Sequence, residues 1–288
     1  MILSLRQIKS RIRSVESTKK ITRAMQMVST AKFKRSEQML YAGRPYYWKL
    51  DSILTKLLLS LSPEQLKAHP LLEERDGARK FALCMITSDS GLCSVYNNNI
   101  IRLAEKMLKQ RGTENVKIIA VGRKGFVHFS KRGAQIVKSY IGLHGRYSAE
   151  TADRIAKDMI DMFLAREVDE IYIAHSHFES ATKYKPDIRK FLSITPPHPV
   201  KGELEFIADP GIDEILEGLI PRYLSVKMRL ILLDAFTTEH SSRMIAMQSA
   251  TDNAVELIDS LTMLRNKARQ ASITNQVLEV ASSAEALK

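Results

Sequence analysis

His175 and His177 stand one residue apart, the spacing that puts two imidazoles on one face of a strand and lets them share a metal. No Cys or carboxylate constellation near them completes such a site, so they read as structural or surface residues. Ser88-Asp89-Ser90-Gly91 follows an apolar run, where an active-site loop could sit. It lacks the nucleophile-elbow pattern and reads as a polar turn. Gly122-Arg123-Lys124-Gly125 is too short for a G-x-G-x-x-G fingerprint, and G-x-x-x-x-G-K-[ST] occurs nowhere. Cys84 and Cys93 fit no zinc spacing, and Cys84 lies in an apolar run as a buried reduced thiol does. The expectation is therefore no catalytic, cofactor-binding or metal-binding residue. The middle of the chain reads as a rigid body, not an enzyme.

Charge points elsewhere. The formal net charge of the 288 residues is +12. Nine of those charges fall in residues 1–35, where ten Lys and Arg face the single acid Glu16. A basic field confined to one segment predicts an acidic partner surface. Nucleic acid is the rival partner, but no aromatic residue for base stacking precedes Phe33 and no nucleic-acid-binding motif occurs. The opening Met1 to Arg6 has no apolar core of a secretory signal, and no stretch approaches ~20 apolar residues. A soluble, intracellular chain is expected.

Two long helices must position these charges. The first forty residues contain no Gly or Pro, and Leu5, Ile8, Ile12 and Val15 follow a three-four step. The stripe then reads as shifting phase and resuming at Ile21, Ala24, Val28 and Ala31. Gly43 and Pro45 predict a kink or an end, and a second apolar stretch from Ile53 to Leu61 stops at Ser62-Pro63. At the other end, Met247, Ala250, Ala254, Leu257, Leu261, Leu264, Ala268 and Ala271 form a stripe of 3.5-residue period. No Pro or Gly interrupts the chain after Tyr223, so the long helix is expected to start at Pro221, with Pro in its first turn. Two terminal helices with matching seams predict an antiparallel coiled coil.

Between them the pattern changes. Phe81 to Thr87 and Val116 to Val121 are apolar on both faces, as in a covered parallel sheet. Asn98 to Gln110 reads as their crossover helix, and a short helix follows Gly122 to Gly125. Gln135 to Tyr140 reads as a third strand, Ala149 to Arg166 as a helix, and Glu170 to His175 and Ile188 to Ile194 as further strands. Thr195 to Pro199 is expected to end the domain. The fold class is α/β: an antiparallel coiled coil of long N- and C-terminal helices plus a Rossmann-like α/β domain. The expected division is 1–62 for the N-terminal coiled-coil helix, 77–207 for the α/β domain, and 211–288 for the C-terminal helix.

Four segments carry a family resemblance. Ile21 to Lys32 (ITRAMQMVSTAK), the Gly91-Leu92-Cys93 turn, Glu239 to Ala254 (EHSSRMIAMQSATDNA) and Asn266 to Thr274 (NKARQASIT) resemble the gamma subunit of F-type ATP synthases, over the whole chain and in the right order. The resemblance implies a non-catalytic central stalk inside a ring of three alpha and three beta subunits. Its globular domain would rest with the epsilon subunit on the c-ring, peripheral to the cytoplasmic face of the cell membrane. Ion flow, of protons or sodium, would turn the shaft and drive the beta catalytic sites, and hydrolysis would drive the reverse. Family contacts to the acidic levers of beta carry over to the N-helix around Met25, with Lys19, Lys20 and Arg23 nearby. On the C-helix they carry over to Arg243, Arg269, Gln270 and Thr274. The chain departs from the usual pattern at Ser90 and Ser94 in the first turn, where Arg and Gly are usual. It departs again at Gln276 and Ser283, where Glu and Gly are usual.

Overall fold

A computed structural model describes residues 4–73, 75, 77, 80–112, 116–195 and 211–286. The element order is α1 (Leu5–Ser60), α2 (Pro63–Ala68), β1 (Phe81–Ile86), α3 (Tyr96–Arg111), β2 (Val116–Val121), α4 (Arg123–Ser130), β3 (Ile136–Tyr140), α5 (Ala149–Leu164), β4 (Glu170–Phe178), β5 (Tyr184–Leu192) and α6 (Ile212–Ala286). Two compact units result, Thr30–Arg243 and the paired termini Met1–Ser29 with Met244–Lys288. Both long helices contribute to each. The expected domain end at Thr195 to Pro199 lies, after Thr195, outside the described residues.

In the larger unit the five strands are ordered β3-β2-β1-β4-β5. All neighbours are parallel except β5, which returns antiparallel to β4 at the edge. β1 shows why the sheet is covered on both faces. Phe81, Leu83 and Met85 pack with Tyr96, Ile100 and Ala104 of α3 and Phe129 of α4. Ala82, Cys84 and Ile86 point the other way, into a core with Met159 and Phe163 of α5, Leu54 and Leu58 of α1, and Leu224 and Leu232 of α6. Each successive side chain changes face, as strand geometry requires.

Proline does not break either long helix, contrary to the sequence expectation. Pro45 lies inside α1 and Pro221 inside α6, which starts at Ile212. An interior Pro removes one backbone bond and costs ~3 kcal/mol. Pro45 and Tyr41, four residues earlier, are both exposed, as are Pro221 and Glu217, so water reaches each interrupted turn. Leu40, Leu50 and Leu54 are buried around Pro45, and Leu216, Ile220 and Leu224 around Pro221. Burying one such side chain contributes ~1.5–3 kcal/mol, so several outweigh the lost bond. Helix α1 ends only at Ser60, and the Ser62 hydroxyl and the Gln65 side chain then form a reciprocal capping box for α2.

Candidate functional site

In the unit of paired termini the helices run in opposite directions. Gln26 hydrogen-bonds Gln248, Thr251 Oγ1 donates to Thr22 Oγ1 at 2.8 Å, and Ile8 and Ile12 cluster with Leu261 and Ala268. The seam on α1 keeps one phase. Buried or half-buried positions step by three and four through Ile8, Ile12, Val15, Lys19, Thr22, Gln26 and Ser29. The expected phase shift does not occur: Ile21 and Val28 are each 58% exposed, and Ala24 is exposed as well. On α6 the seam runs through Met247, Thr251, Ala254, Ile258, Leu261, Arg265 and Ala268. It shares every seventh residue with the expected stripe, but Leu257 and Leu264 are exposed. The physical reason is the same on both helices. One hydrogen bond joins Thr22 to Thr251 and another joins Gln26 to Gln248 across the seam, so polar residues occupy positions that a purely apolar reading skips. Apolar residues then stand outside.

Most of the basic residues stand outside too. Lys20 and Arg23 are exposed, and Lys19 and Met25 are half-buried at the seam margin. Lys19, Lys20 and Arg23 make no ion pair among the described residues. Arg269, Gln270 and Thr274 are exposed on α6, and the Thr274 hydroxyl donates to the Gln270 carbonyl at 3.0 Å. Arg243 behaves differently from the expected partner contact. It is 8% exposed, pairs with Glu239 at 2.8 Å, and donates to the carbonyls of Ser90 and Gly91. Its guanidinium is committed inside the larger unit.

The turn that Arg243 binds is a brace. Asp89 accepts backbone N–H bonds from Arg123, Gly142 and His144 at 3.0, 3.0 and 2.7 Å, tying together the loops after β1, β2 and β3. Burial alone would raise its carboxyl, but the three N–H donors outweigh that and hold it below the usual range. Gly122 sits at φ +89°, where a Cβ would stand 2.0 Å from the Thr87 carbonyl oxygen. The loop therefore needs glycine there. Cys93 is buried, with its thiol pushed up chiefly by desolvation, and burial pushes Cys84 up to about 12. Neither is a thiolate nucleophile at neutral pH.

His177 has a structural partner. His177 Nδ1 meets Asp234 at 2.5 Å, and Arg44 reaches the same carboxylate at 3.4 Å. His175 is buried, and desolvation pushes its pKa down to about 4. Among the described residues no group of three metal-ligating side chains is assembled. Nor is any helix among them long and apolar enough to cross a membrane.

Fold and surface thus define a class: paired terminal helices joined to an α/β unit, with an outward-facing surface rather than a chemical centre as its candidate site. A model of the ATP synthase family matches residues 4–287. The chain is 38% identical to the ATP synthase gamma chain of Moorella thermoacetica over 99% of both chains. It is 39% identical to that of Anaeromyxobacter sp. Fw109-5 over the same share. Among solved structures, a chain of the Euglena gracilis mitochondrial ATP synthase OSCP/F1/c-ring assembly matches with TM-score 0.69 at 15% identity, covering 98% of this chain and 94% of that one. A chain from the central stalk and c-ring of the Tetrahymena thermophila enzyme matches with TM-score 0.63 at 24% identity, covering 80% and 99%. The chain belongs to the ATP synthase gamma-chain family.

The sequence reading missed the outward apolar residues. Ile21, Met27 and Val28 on α1, and Leu257, Met263, Leu264, Ile273, Val277, Leu278 and Val280 on α6, are all exposed. The available signal was the unbroken step from Ile8 to Ser29 through polar residues, which would have released Ile21 and Val28 from the seam.

Proposed function

We propose that this chain is the central rotor stalk of an F1Fo ATP synthase, coupling ion-driven rotation of a c-ring to ATP synthesis at the beta subunits, or the reverse. Residues 1–62 and 211–288 act as the shaft and 77–207 as the α/β body that meets the epsilon subunit and the c-ring. The subunit itself is non-catalytic. Its place is peripheral, on the cytoplasmic face of the cell membrane, and the coupling ion is a proton or sodium.

The full-length likeness to gamma chains carries this reading. The unpaired basic face of α1 and the uncovered apolar residues of both helices support it, since they form a surface suited to an enclosing partner with acidic levers. Lys19, Lys20, Arg23, Met25, Arg269, Gln270 and Thr274 are the proposed contacts with the ring of alpha and beta subunits. Arg243 leaves that set because its charge is used internally.

The test is Mg-ATPase activity of alpha and beta subunits from the same organism, with and without this chain. Assembly with strongly raised turnover is expected. Exposed charge pairs contribute only ~0–1 kcal/mol each, so one substitution has little effect. The combination Lys19→Glu, Lys20→Glu and Arg23→Glu should weaken assembly several-fold while leaving the fold intact by circular dichroism. A chain that neither joins the hexamer nor changes its activity would sink the reading.

A further inference from the structure

The part of α1 that belongs to the larger unit shows a line of rings to solvent. Tyr41 and Trp48 are 49% and 62% exposed, and Pro45 between them is exposed too. Lys34, Gln38 and Ser52, all exposed, extend the line in steps of three and four, so it follows one side of the helix for ~27 Å. Leu50, Leu54 and Leu58 carry the other side of the same helix into the core. Aromatic residues gathered on one exposed face mark a surface that another molecule covers.

The line is held in place from beneath. The Arg44 guanidinium stands 5.1 Å from the centre of the Tyr41 ring, and its Nη2 donates to the Phe178 carbonyl at 3.2 Å and to Asp234 at 3.4 Å. Asp234 is buried, so the cation that supports the exposed ring is anchored in the core. A ring fixed before its partner arrives loses little side-chain freedom on binding. Pro45 adds a rigid ring between the two aromatics, at an exposed position that core packing does not require.

Spacing and charge specify the occupant. Tyr41 and Trp48 are one heptad, ~10.5 Å, apart, the repeat at which a second helix sets its own apolar side chains. Lys34, Arg35, Lys49 and Lys56 are exposed beside the line, and none makes an ion pair among the described residues. The acids on this stretch of α1, Glu37 and Asp51, are both half-buried, and Asp51 accepts from the Tyr223 hydroxyl at 2.8 Å. A narrow line rimmed by cations does not offer the broad apolar face that burial in a lipid surface needs. We propose that Tyr41, Pro45 and Trp48 seat an acidic amphipathic helix of a partner protein, its apolar side chains between the rings and its carboxylates on Lys34, Arg35, Lys49 and Lys56. The ring contacts proposed on α1 stop at Met25, so this surface is separate from them and does not rest on the rotor reading.

The probe is a synthetic helix of ~four heptads without tryptophan, with Leu at its core positions and Glu beside them, titrated against the full-length chain. Anisotropy of a fluorescein-labelled copy gives the affinity. Trp48 is the only tryptophan, so its emission reports whether this face is covered. Saturable binding with a blue shift of Trp48 is expected, weakening as salt rises, and a counterpart with Lys in place of Glu should bind at least ~10-fold more weakly. Tyr41→Ser and Trp48→Ser, both surface changes, should each weaken the acidic helix by at least ~10-fold with circular dichroism unchanged. Lys19→Glu with Lys20→Glu and Arg23→Glu should leave it within ~2-fold, because Arg23 lies ~16 Å along the helix from Lys34, beyond the ~8 Å screening length at physiological salt. No saturable binding below ~1 mM, equal affinity for the Lys counterpart, or an unchanged Trp48→Ser variant would each overturn the proposal. So would tighter covering of Trp48 by phosphatidylglycerol vesicles or by a single-stranded oligonucleotide.

Discussion

The larger unit and the paired termini bury their apolar residues in different ways. In the larger unit, β1 sends alternate side chains into two cores, and helices cover both: α3 and α4 on one face, α5, α1 and α6 on the other. In the paired termini the buried apolar cluster is Ile8, Ile12 and Leu261, with Val15 and Ala268 at its margin. Polar pairs fill much of the remaining seam, and residues such as Val277 and Val280 are 62% and 70% exposed. The lesson concerns where stability comes from. The larger unit closes its own core, while the paired helices are held by a narrow seam and leave apolar surface for a partner to cover. A polar seam also fixes register, because slipping one helix would strand the Thr and Gln groups without partners.

Paired core deletions test the contrast most strongly. Phe163→Ala, at a fully buried position beneath the Arg75 guanidinium, should destabilise the larger unit by ~3–5 kcal/mol in denaturant unfolding. Leu261→Ala should fall below the ~2–5 kcal/mol usual for a buried Leu, because water already reaches the seam's margins. Equal losses would break the comparison.

Asp89→Asn probes the brace and should remove about 1 kcal/mol, since the three N–H donors keep a weaker acceptor and the site is partly exposed. The sign with pH follows from a folded carboxyl held below its unfolded value. Its stabilisation is present above the unfolded pKa of ~3.9 and is lost as pH falls through the folded pKa. Unfolding free energies of the parent and Asp89→Asn should therefore converge in acid; parallel curves would rule the brace out.

The smallest effect belongs to the seam's hydroxyls. Thr22→Val or Thr251→Val alone should cost ~0.5–1.5 kcal/mol, and the two together less than their sum, because either change already breaks the one bond the two hydroxyls share. Additive losses would mean that the pair does not couple the helices.

Much of the fold was legible in local pattern. The two-faced apolar runs of β1 and β2 and the amphipathic α5 needed no tertiary information, since burial on both faces or on one stripe is written in residue order. The orientation of β5 was not, because the direction of an edge strand depends on its connection. The candidate surface was half legible. The clustering of Lys19, Lys20 and Arg23 was evident, but Arg243 read as an outward contact until Glu239 and the Ser90 and Gly91 carbonyls were brought against it.

By itself, then, the sequence determined the helical termini, the sheet strands, the one-sided charge and the family motifs, all of which depend on neighbours within a few turns. Only the tertiary structure decided that Pro45 and Pro221 stay within continuous helices, that the seam runs through Thr22 and Thr251, and that Ile21, Val28, Leu257 and Leu264 face outward. In each case the local pattern alone favoured another reading. Contacts between residues far apart in the chain, worth a few kcal/mol, outweighed it.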